Sequence, residues 1–342
     1  MSYRPPSRSP WQHLYEAALR QRRRRARGRR LDSPVLSVGN LHWGGGGKTP
    51  LARAIAIHLR EAGRRVTVLS RGYGRRSKGP LVVSRGDGAL VPVEDSGDEA
   101  ALLARTEGLR VVVAEQRFEG GRLAERTFET DVFLLDDGFS HVDLARDVDL
   151  LAFPAVDPWA GARLLPTGRL REPLSFARLA DAVLLTGVDG STTSDSASHQ
   201  LDELRSGLSG HGYDGPLFAS TSETELRAAS APDRVLLVSG VARPDSVRRS
   251  AEALAQRHGF TIVGELRYRD HEAYSGRRLD EIRGEQERLR ADTVLVTEKD
   301  RVKLDERLSL GGAQLAEIRL AARPSADFFG WLDQKLANAP PA

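Results

Sequence analysis

Apolar and polar residues in the first half of the chain alternate between the periods of strands and helices. Short apolar runs bounded by turns predict strands, whereas apolar residues three or four positions apart predict helices. Leu51, Ile55 and Leu59 share one face of a helix that follows the first strand and stops at Gly63. The predicted strands lie at residues 34–39, 64–72, 111–115, 131–138, 147–153 and 180–187. This alternation predicts an α/β fold with a mostly parallel sheet flanked by helices.

The second half resumes the alternation after a polar, Ser/Thr-rich stretch at 188–200, which predicts a boundary or a long surface loop. The elements predicted beyond it are strands at 234–240, 260–266 and 293–300 and helices at 245–258, about 276–291 and 325–338. We therefore predict two α/β lobes with a cleft between them. The first covers residues 31–188, and the second, smaller lobe covers residues 189–342.

Residues 1–30 differ from both lobes in charge. They contain ten arginines and one acid, Glu16, although the net charge of all 342 residues is only +4. Pro10 suits the first position of a helix. One face of that helix carries the apolar residues Trp11, Leu14, Tyr15 and Ala18. A basic amphipathic helix suits an anionic bilayer surface. The alternatives are docking on its own protein and binding of nucleic acid, and no nucleic-acid motif accompanies the arginines.

The overall composition indicates the cellular compartment of the protein. A hydrophobic content of 40% and a charged content of 29% are typical of globular proteins. The chain has no apolar run of ~18 residues that could span a bilayer, and its N-terminus lacks the apolar core of a signal peptide. Cysteine is absent, which excludes disulfides and thiolate metal sites. These features predict a cytoplasmic protein.

Four glycines, Gly44 to Gly47, lead from the first predicted strand into Lys48, Thr49 and a helix. This is the layout of a phosphate-binding loop, in which N–H groups and a lysine contact phosphates and a hydroxyl binds Mg²⁺. His42 stands where the pattern G-x-x-x-x-G-K-[ST] has glycine, which leaves the shorter form G-G-x-G-K-T. The alternative is a glycine-rich hairpin without a ligand. The predicted nucleotide-binding residues are His42, Trp43, Gly44, Gly45, Gly46, Gly47, Lys48 and Thr49.

Two carboxylates, Asp136 and Asp137, follow an apolar predicted strand. They lie at the carboxyl edge of the predicted sheet, where ligands bind in such folds. A carboxylate there can hold Mg²⁺ directly or through water. The alternative is an ordinary Asp-Gly turn. We predict a magnesium site made by Thr49, Asp136 and Asp137.

Three further stretches indicate function only in combination. Asp98 and Glu99 open a predicted helix and would by themselves be capping residues. His271 lies in a predicted loop, where a lone histidine is more often solvated than catalytic. The arginine-containing segment 163–173 could bind an anionic substrate or form a salt-bridged loop.

Taken together, these stretches resemble the tetraacyldisaccharide 4'-kinase family, the lipid A 4'-kinases. The matching pieces are PVLSVGNLHWGGGGKTPL, VLSRGYGR, GDEA, DDGFSH, LLPTGRLREPL, ADAVLLTG, RDH and VTEKDRVKL. They occur in the family's order between about residues 34 and 304. No single piece is decisive, but the ordered set is highly specific.

The resemblance implies transfer of the ATP γ-phosphate to the 4'-hydroxyl of a tetraacylated glucosamine disaccharide 1-phosphate, which gives lipid IVA, with ATP and Mg²⁺ as cofactors. It also implies a peripheral protein on the cytoplasmic face of the inner membrane, in agreement with the basic N-terminal helix. By the same resemblance, Asp98 and His271 form a catalytic pair. The residues that it places around the site are Tyr73, Glu99, His141, Arg171 and Glu172.

Two other functions stay open from the sequence. One is a soluble small-molecule kinase or ligase with a related loop. The other is a nucleotide-switch ATPase of the partition type, which should carry a lysine early in its loop. This chain has no lysine there, because His42 and Trp43 occupy the positions where it would lie.

Overall fold

The computed structural model describes residues 10–26, 28–43, 47–189, 194–305 and 307–338. Within these ranges, twelve strands form one sheet in the order β10-β9-β11-β12-β8-β7-β6-β1-β5-β2-β4-β3. The strands are β1 (Val35–Gly39), β2 (Val66–Ser70), β3 (Leu81–Arg85), β4 (Arg110–Val113), β5 (Val132–Asp136), β6 (Val148–Pro154), β7 (Ala182–Asp189), β8 (Leu217–Arg227), β9 (Arg234–Ser239), β10 (Thr261–Arg267), β11 (Thr293–Thr297) and β12 (Gln314–Pro324). The predicted α/β fold is confirmed.

The sheet consists of two parallel sets that run in opposite directions. Strands β1, β2 and β4 to β8 pair in parallel, as do β9 to β12. The two sets join through the antiparallel pair β8–β12, and β3 adds an antiparallel edge strand. The predicted boundary after residue 188 falls at the end of β7, which pairs with β8 across it. The boundary therefore stays a prediction, although the reversal of direction agrees with a second α/β lobe.

Helices cover both faces of the sheet. They are α1 (Pro10–Arg25), α2 (Lys48–Glu61), α3 (Val93–Ser96), α4 (Asp98–Ala104), α5 (Arg117–Thr127), α6 (Ser194–Ser209), α7 (Pro244–His258), α8 (Gly276–Leu289), α9 (Glu298–Leu304) and α10 (Ala326–Ala337). The predicted apolar face of α2, with Leu51, Ile55 and Leu59, is buried against the sheet together with Phe328 and Leu332 of α10. The opposite face is covered partly by α5.

Three strands, β3, β8 and β12, and three helices, α3, α6 and α9, were not predicted from the sequence. The strand predicted at 293–300 ends at Thr297, because the Thr297 side chain accepts a hydrogen bond from the Asp300 N–H and caps α9. Strands β8 and β12 are half-buried and rich in polar residues, so that they lack the apolar run that identified the central strands. Strand β3 lies at the edge. Helix α6 begins at Ser194, inside the polar stretch that was predicted as a boundary or loop.

Helix α1 begins at Pro10, as predicted, and packs on its own protein. Its inner stripe is largely polar: Gln12 and Glu16 are buried, and Arg23 donates hydrogen bonds to Glu172 and to the Phe139 carbonyl. Of the predicted apolar face, Tyr15 packs against the core, whereas the side chains of Trp11 and Leu14 are 54% and 64% exposed, and Ala18 is also exposed. Across the described ranges, no helix combines the length and apolar character needed to traverse a bilayer.

Candidate active site

The glycine-rich loop connects the carboxyl end of β1 to the first turn of α2. Gly47, the residue before α2, has a φ of +74°, and a Cβ there would lie 3.1 Å from Oγ1 of Thr186. Both facts favour glycine, because side chains rarely adopt this conformation. Gly44, Gly45 and Gly46 lie outside the described residues, so that their predicted contacts with ATP stay predictions.

Lys48 lies in a network of polar side chains at this edge of the sheet. Its Nζ donates to Oδ1 of Asn40 at 3.1 Å and lies 3.5 Å from Oδ1 of Asp137. Arg171 donates to both Asp137 oxygens, at 2.7 and 3.0 Å, and to Oδ1 of Asn40 at 2.7 Å. Two cations thus converge on one carboxylate, beside the loop predicted to hold phosphates.

Thr49 and Asp136 meet where α2 approaches β5. The Thr49 hydroxyl lies 3.3 Å from Oδ2 of Asp136. Burial, together with the charges of Glu99 and Asp137, raises the pKa of Asp136 to about 7. Burial acts in the same direction on Asp137, but hydrogen bonding to Arg171 and the charge of Lys48 lower its pKa to about 2. The adjacent carboxylates therefore differ in their protonation.

The residues around Asp136 fit a magnesium ion. Oδ1 of Asp136 is buried and has no hydrogen-bond partner among the described residues. A buried carboxylate oxygen without a partner is costly unless a cation binds it. A hydroxyl and a carboxylate are also ligands that Mg²⁺ accepts. Thr49 and Asp136 can hold the ion, whereas Asp137 is already paired with Lys48 and Arg171.

Asp98 and His271, which come from opposite halves of the chain, are in direct contact. Oδ2 of Asp98 lies 2.9 Å from Nδ1 of His271. The ring of Tyr73, which is 70% exposed, lies 6.0 Å from the imidazole ring between centroids. His271 has a φ of +59° and Asp137 a φ of +55°, a conformation uncommon outside glycine that often occurs at functional sites. The structure therefore brings together the pair implied by the resemblance.

Other residues implied to line the site already have partners within the protein. Glu99 forms an ion pair with Lys299 at 3.2 Å. Nε2 of His141 lies 3.4 Å from the Arg117 main-chain nitrogen, and burial lowers the pKa of this histidine to about 4. Glu172 is buried, and its carboxylate lies 2.6 Å from Arg23 of α1. Contacts of these three residues with a substrate stay predictions.

His42 and Trp43 differ in their surroundings. The His42 ring is buried, and its Nε2 lies 2.7 Å from the carbonyl oxygen of Pro158. Burial lowers the pKa of His42 to about 4, so that the ring is neutral at pH 7 and donates to this carbonyl. The Trp43 side chain is 62% exposed, and its main-chain N–H donates to the Arg169 carbonyl at 2.6 Å. The predicted contacts of His42 and Trp43 with ATP stay predictions.

The structure adds residues that the sequence did not single out. Asn40 joins Lys48 to Arg171. Arg117 is buried near both aspartates, and burial lowers its pKa to about 10. Lys299 and Lys303 of α9 lie near the start of α4. The sequence indicated the two lysines only through the segment VTEKDRVKL, which is one of the stretches that resemble the kinase family.

Comparisons with known proteins show the family of the chain. Residues 8–337 match the family model described as tetraacyldisaccharide-1-P 4'-kinase, LpxK. A tetraacyldisaccharide 4'-kinase from Anaeromyxobacter sp. (strain K) is 37% identical over 326 residues, which cover 91% of this chain and 84% of that protein. One from Geobacter sulfurreducens is 36% identical over 283 residues, which cover 82% and 77% of the two chains.

A solved structure shows the same fold. The crystal structure of LpxK from Aquifex aeolicus in complex with ATP matches with a TM-score of 0.74 and 29% sequence identity, and the match covers 96% of this chain and 97% of that one. The family model spans nearly the whole chain, and the relatives named above exceed 30% identity. The chain therefore belongs to the tetraacyldisaccharide-1-P 4'-kinase family.

Proposed function

We propose that the protein transfers the γ-phosphate of ATP to the 4'-hydroxyl of a tetraacyldisaccharide 1-phosphate, which forms lipid IVA. One observation carries the proposal: Asp98 and His271, which come from opposite halves of the chain, meet with 2.9 Å between Oδ2 and Nδ1. The same chain places Lys48 beside Asn40, and Thr49 beside Asp136, at the loop predicted to hold phosphates. Phosphoryl transfer requires both a site for the phosphates and a group that aligns the acceptor.

In this proposal the nucleotide side of the site provides positive charge and orientation. Lys48 approaches the β- and γ-phosphates and neutralises charge that develops during transfer. Arg171 keeps Asp137 and Asn40 in place beside it. Thr49 and Asp136 would hold Mg²⁺, which would screen the charge of the phosphate oxygens.

The acceptor side of the site provides a proton acceptor. A sugar hydroxyl is a poor nucleophile and must be aligned with the phosphate and relieved of its proton. Asp98 and His271 share a hydrogen bond, and both side chains are accessible to solvent to some degree, Asp98 at 17% and His271 at 47%. We propose that one member of the pair is the general base and that the other orients it. Tyr73 lies beside the imidazole ring.

We also propose that residues 31–188 form the nucleotide-binding domain and residues 189–342 a lobe that closes over the site. The contact between Asp98 and His271 supports this division, because each lobe supplies one member. The buried pair of Arg53 with Glu298, at 2.5 Å, also joins the two lobes.

For the location, we propose a peripheral association with an anionic membrane surface, on the cytoplasmic face of the inner membrane. Trp11, Leu14 and Ala18 are exposed along one stripe of α1, and the exposed Arg22 and Arg25 continue this stripe. Exposed apolar residues followed by arginines suit the boundary between acyl chains and anionic headgroups. The acylated substrate would lie in the same bilayer.

An assay with two acceptors tests the proposal. Purified protein receives ATP labelled at the γ-phosphate, Mg²⁺, and either the tetraacyldisaccharide 1-phosphate or its deacylated form. We expect label in the 4'-position of the acylated acceptor and little in the deacylated one. Equal labelling of both acceptors would indicate a soluble small-molecule kinase. Release of phosphate without labelled lipid would indicate a nucleotide switch.

A further inference from the structure

Helix α9 directs two lysines at the first turn of α4. Lys299 and Lys303 are four positions apart, so that they lie on the same face of the helix. Nζ of Lys303 lies 2.7 Å from Oδ2 of Asp98, and Nζ of Lys299 lies 3.2 Å from Oε1 of Glu99. Successive carboxylates of α4 are therefore each paired with a lysine from the other half of the chain.

Lys303 differs from Lys299 in its burial. Its side chain is only 6% exposed, against 37% for Lys299. A buried ammonium is costly unless it is paired with an opposite charge. Among the described residues, Asp98 is the one carboxylate within ion-pair distance of Lys303. The pairing of Lys303 is thus directed at Asp98 and not shared with a wider network.

One oxygen of Asp98 carries both contacts. Oδ2 lies 2.9 Å from Nδ1 of His271 and 2.7 Å from Nζ of Lys303. In the described part of the chain, no hydrogen bond to the other oxygen, Oδ1, is found. Two groups on one oxygen fix the rotation of the carboxylate and leave Oδ1 for another donor.

We propose that Lys303 is a positioning residue for the transfer reaction. It holds Oδ2 of Asp98 against His271, so that Oδ1 is directed to the acceptor hydroxyl. The ammonium group of Lys303 also pairs with the charge of the carboxylate, which accepts a hydrogen bond from that hydroxyl. This inference rests on the proposed role of Asp98, and it adds that the second lobe supplies a buried cation as well as an imidazole.

A role limited to holding α9 against α4 is the competing explanation. The same two segments are connected by Lys299 with Glu99 and by Arg105 with Asp305, at 3.8 Å. Loss of Lys303 leaves these contacts in place. A purely structural role of Lys303 therefore predicts a loss of stability while the kcat of the folded protein is retained.

The test combines Lys303→Met with Asp98→Ala in a double-mutant cycle. Misplacement of a catalytic group by ~1 Å costs roughly 100-fold in rate, so we expect Lys303→Met to lower kcat by roughly 10- to 100-fold. The KM for ATP should change little. In the Asp98→Ala background the same substitution should cause no further loss, because Lys303 acts only through Asp98. Lys303→Arg, which retains the charge, should recover part of the lost turnover.

Two further variants distinguish a loss of catalysis from a loss of folding. Lys303→Gln keeps a polar group in the buried position and should reduce kcat as Lys303→Met does, with thermal unfolding measured for both. Lys335→Met is the control, because Lys335 of α10 is 45% exposed and forms an ion pair with Asp181. This variant should have the kcat of the wild type. Wild-type kcat in Lys303→Gln, or an equal loss with and without Asp98, would overturn the proposal. Normal turnover in Asp98→Ala alone would instead refute the proposed function of Asp98.

Discussion

The hydroxyl of Thr49 and Oδ2 of Asp136 lie 3.3 Å apart, which joins the first turn of α2 to the end of β5. The other oxygen of the same carboxylate is buried without a hydrogen-bond partner in the described ranges. Such an arrangement is unfavourable in the absence of a cation, because an ionised carboxylate loses its hydration there. The stability of the metal-free protein should therefore depend on the charge of Asp136.

We expect Asp136→Asn to stabilise the protein free of ATP and Mg²⁺, and more so at pH 8 than at pH 5. Burial raises the pKa of Asp136 from 3.8 to about 7. The free energy of unfolding of the wild type thus falls as pH rises from about 4 to about 7, since the buried group must ionise. The amide has no such cost. Denaturant unfolding of both proteins at the two pH values measures the difference.

The opposite sign would refute this prediction. If the advantage of Asp136→Asn shrinks as pH rises, the wild-type carboxylate is stabilised and not penalised by its surroundings. Addition of Mg²⁺ with ATP provides the control. It should stabilise the wild type and have less effect on the variant, which lacks the charge that binds the ion.

Lys48→Ala should abolish phosphate transfer and weaken ATP binding. The ammonium group lies between Asn40 and Asp137 and is the charge expected to neutralise the transferring phosphoryl group. Turnover and ATP affinity are measured side by side with Lys335→Ala, which removes an exposed lysine on α10. An unchanged turnover number in Lys48→Ala would remove the phosphate-loop assignment.

Asp98→Ala and His271→Ala should each lower kcat by roughly two to four decades, the usual contribution of general base catalysis. Because the two side chains share one hydrogen bond of 2.9 Å, we expect the double variant to be scarcely slower than either single variant. The KM for ATP should change little. Additive losses, or losses confined to the KM for ATP, would show that the residues do not act as a pair.

Replacing Trp11 and Leu14 by serine should weaken binding to vesicles that contain anionic lipid. Both side chains are more than half exposed, so that the change should leave the fold intact. Deleting residues 1–30 is a poorer test, because it would remove Arg23 from the buried Glu172. The remaining attraction should fall with salt, since screening shortens to ~3 Å at 1 M.

Vesicle sedimentation with and without salt measures this binding. Leu90→Ser is the matched control, because Leu90 is an exposed leucine in the loop after β3, outside α1. Equal sedimentation of wild type and the Trp11/Leu14 variant would contradict a role for α1 at the membrane surface. A loss that also appears in Leu90→Ser would indicate a general effect of surface polarity.

The sequence by itself determined the elements whose signals are local. The central strands were predicted because they are buried on both faces and read as continuous apolar runs. The nucleotide loop was predicted because a strand, glycines, a lysine and a helix follow one another directly. The carboxylates at 136 and 137 were placed at the sheet edge by the direction of their strand alone.

Only the tertiary structure decided which distant groups meet. Glu172 could bind substrate or a salt-bridge partner as far as the sequence shows, and the packing of α1 pairs it with Arg23. Asp98 and His271 are 173 residues apart, and their contact depends on how both halves join one sheet. Lys303 belongs to the short helix α9, which no apolar periodicity predicted, and only the family-like segment VTEKDRVKL includes it. Contacts between residues distant in the sequence arise from the packing of whole elements, and local periodicity does not record them.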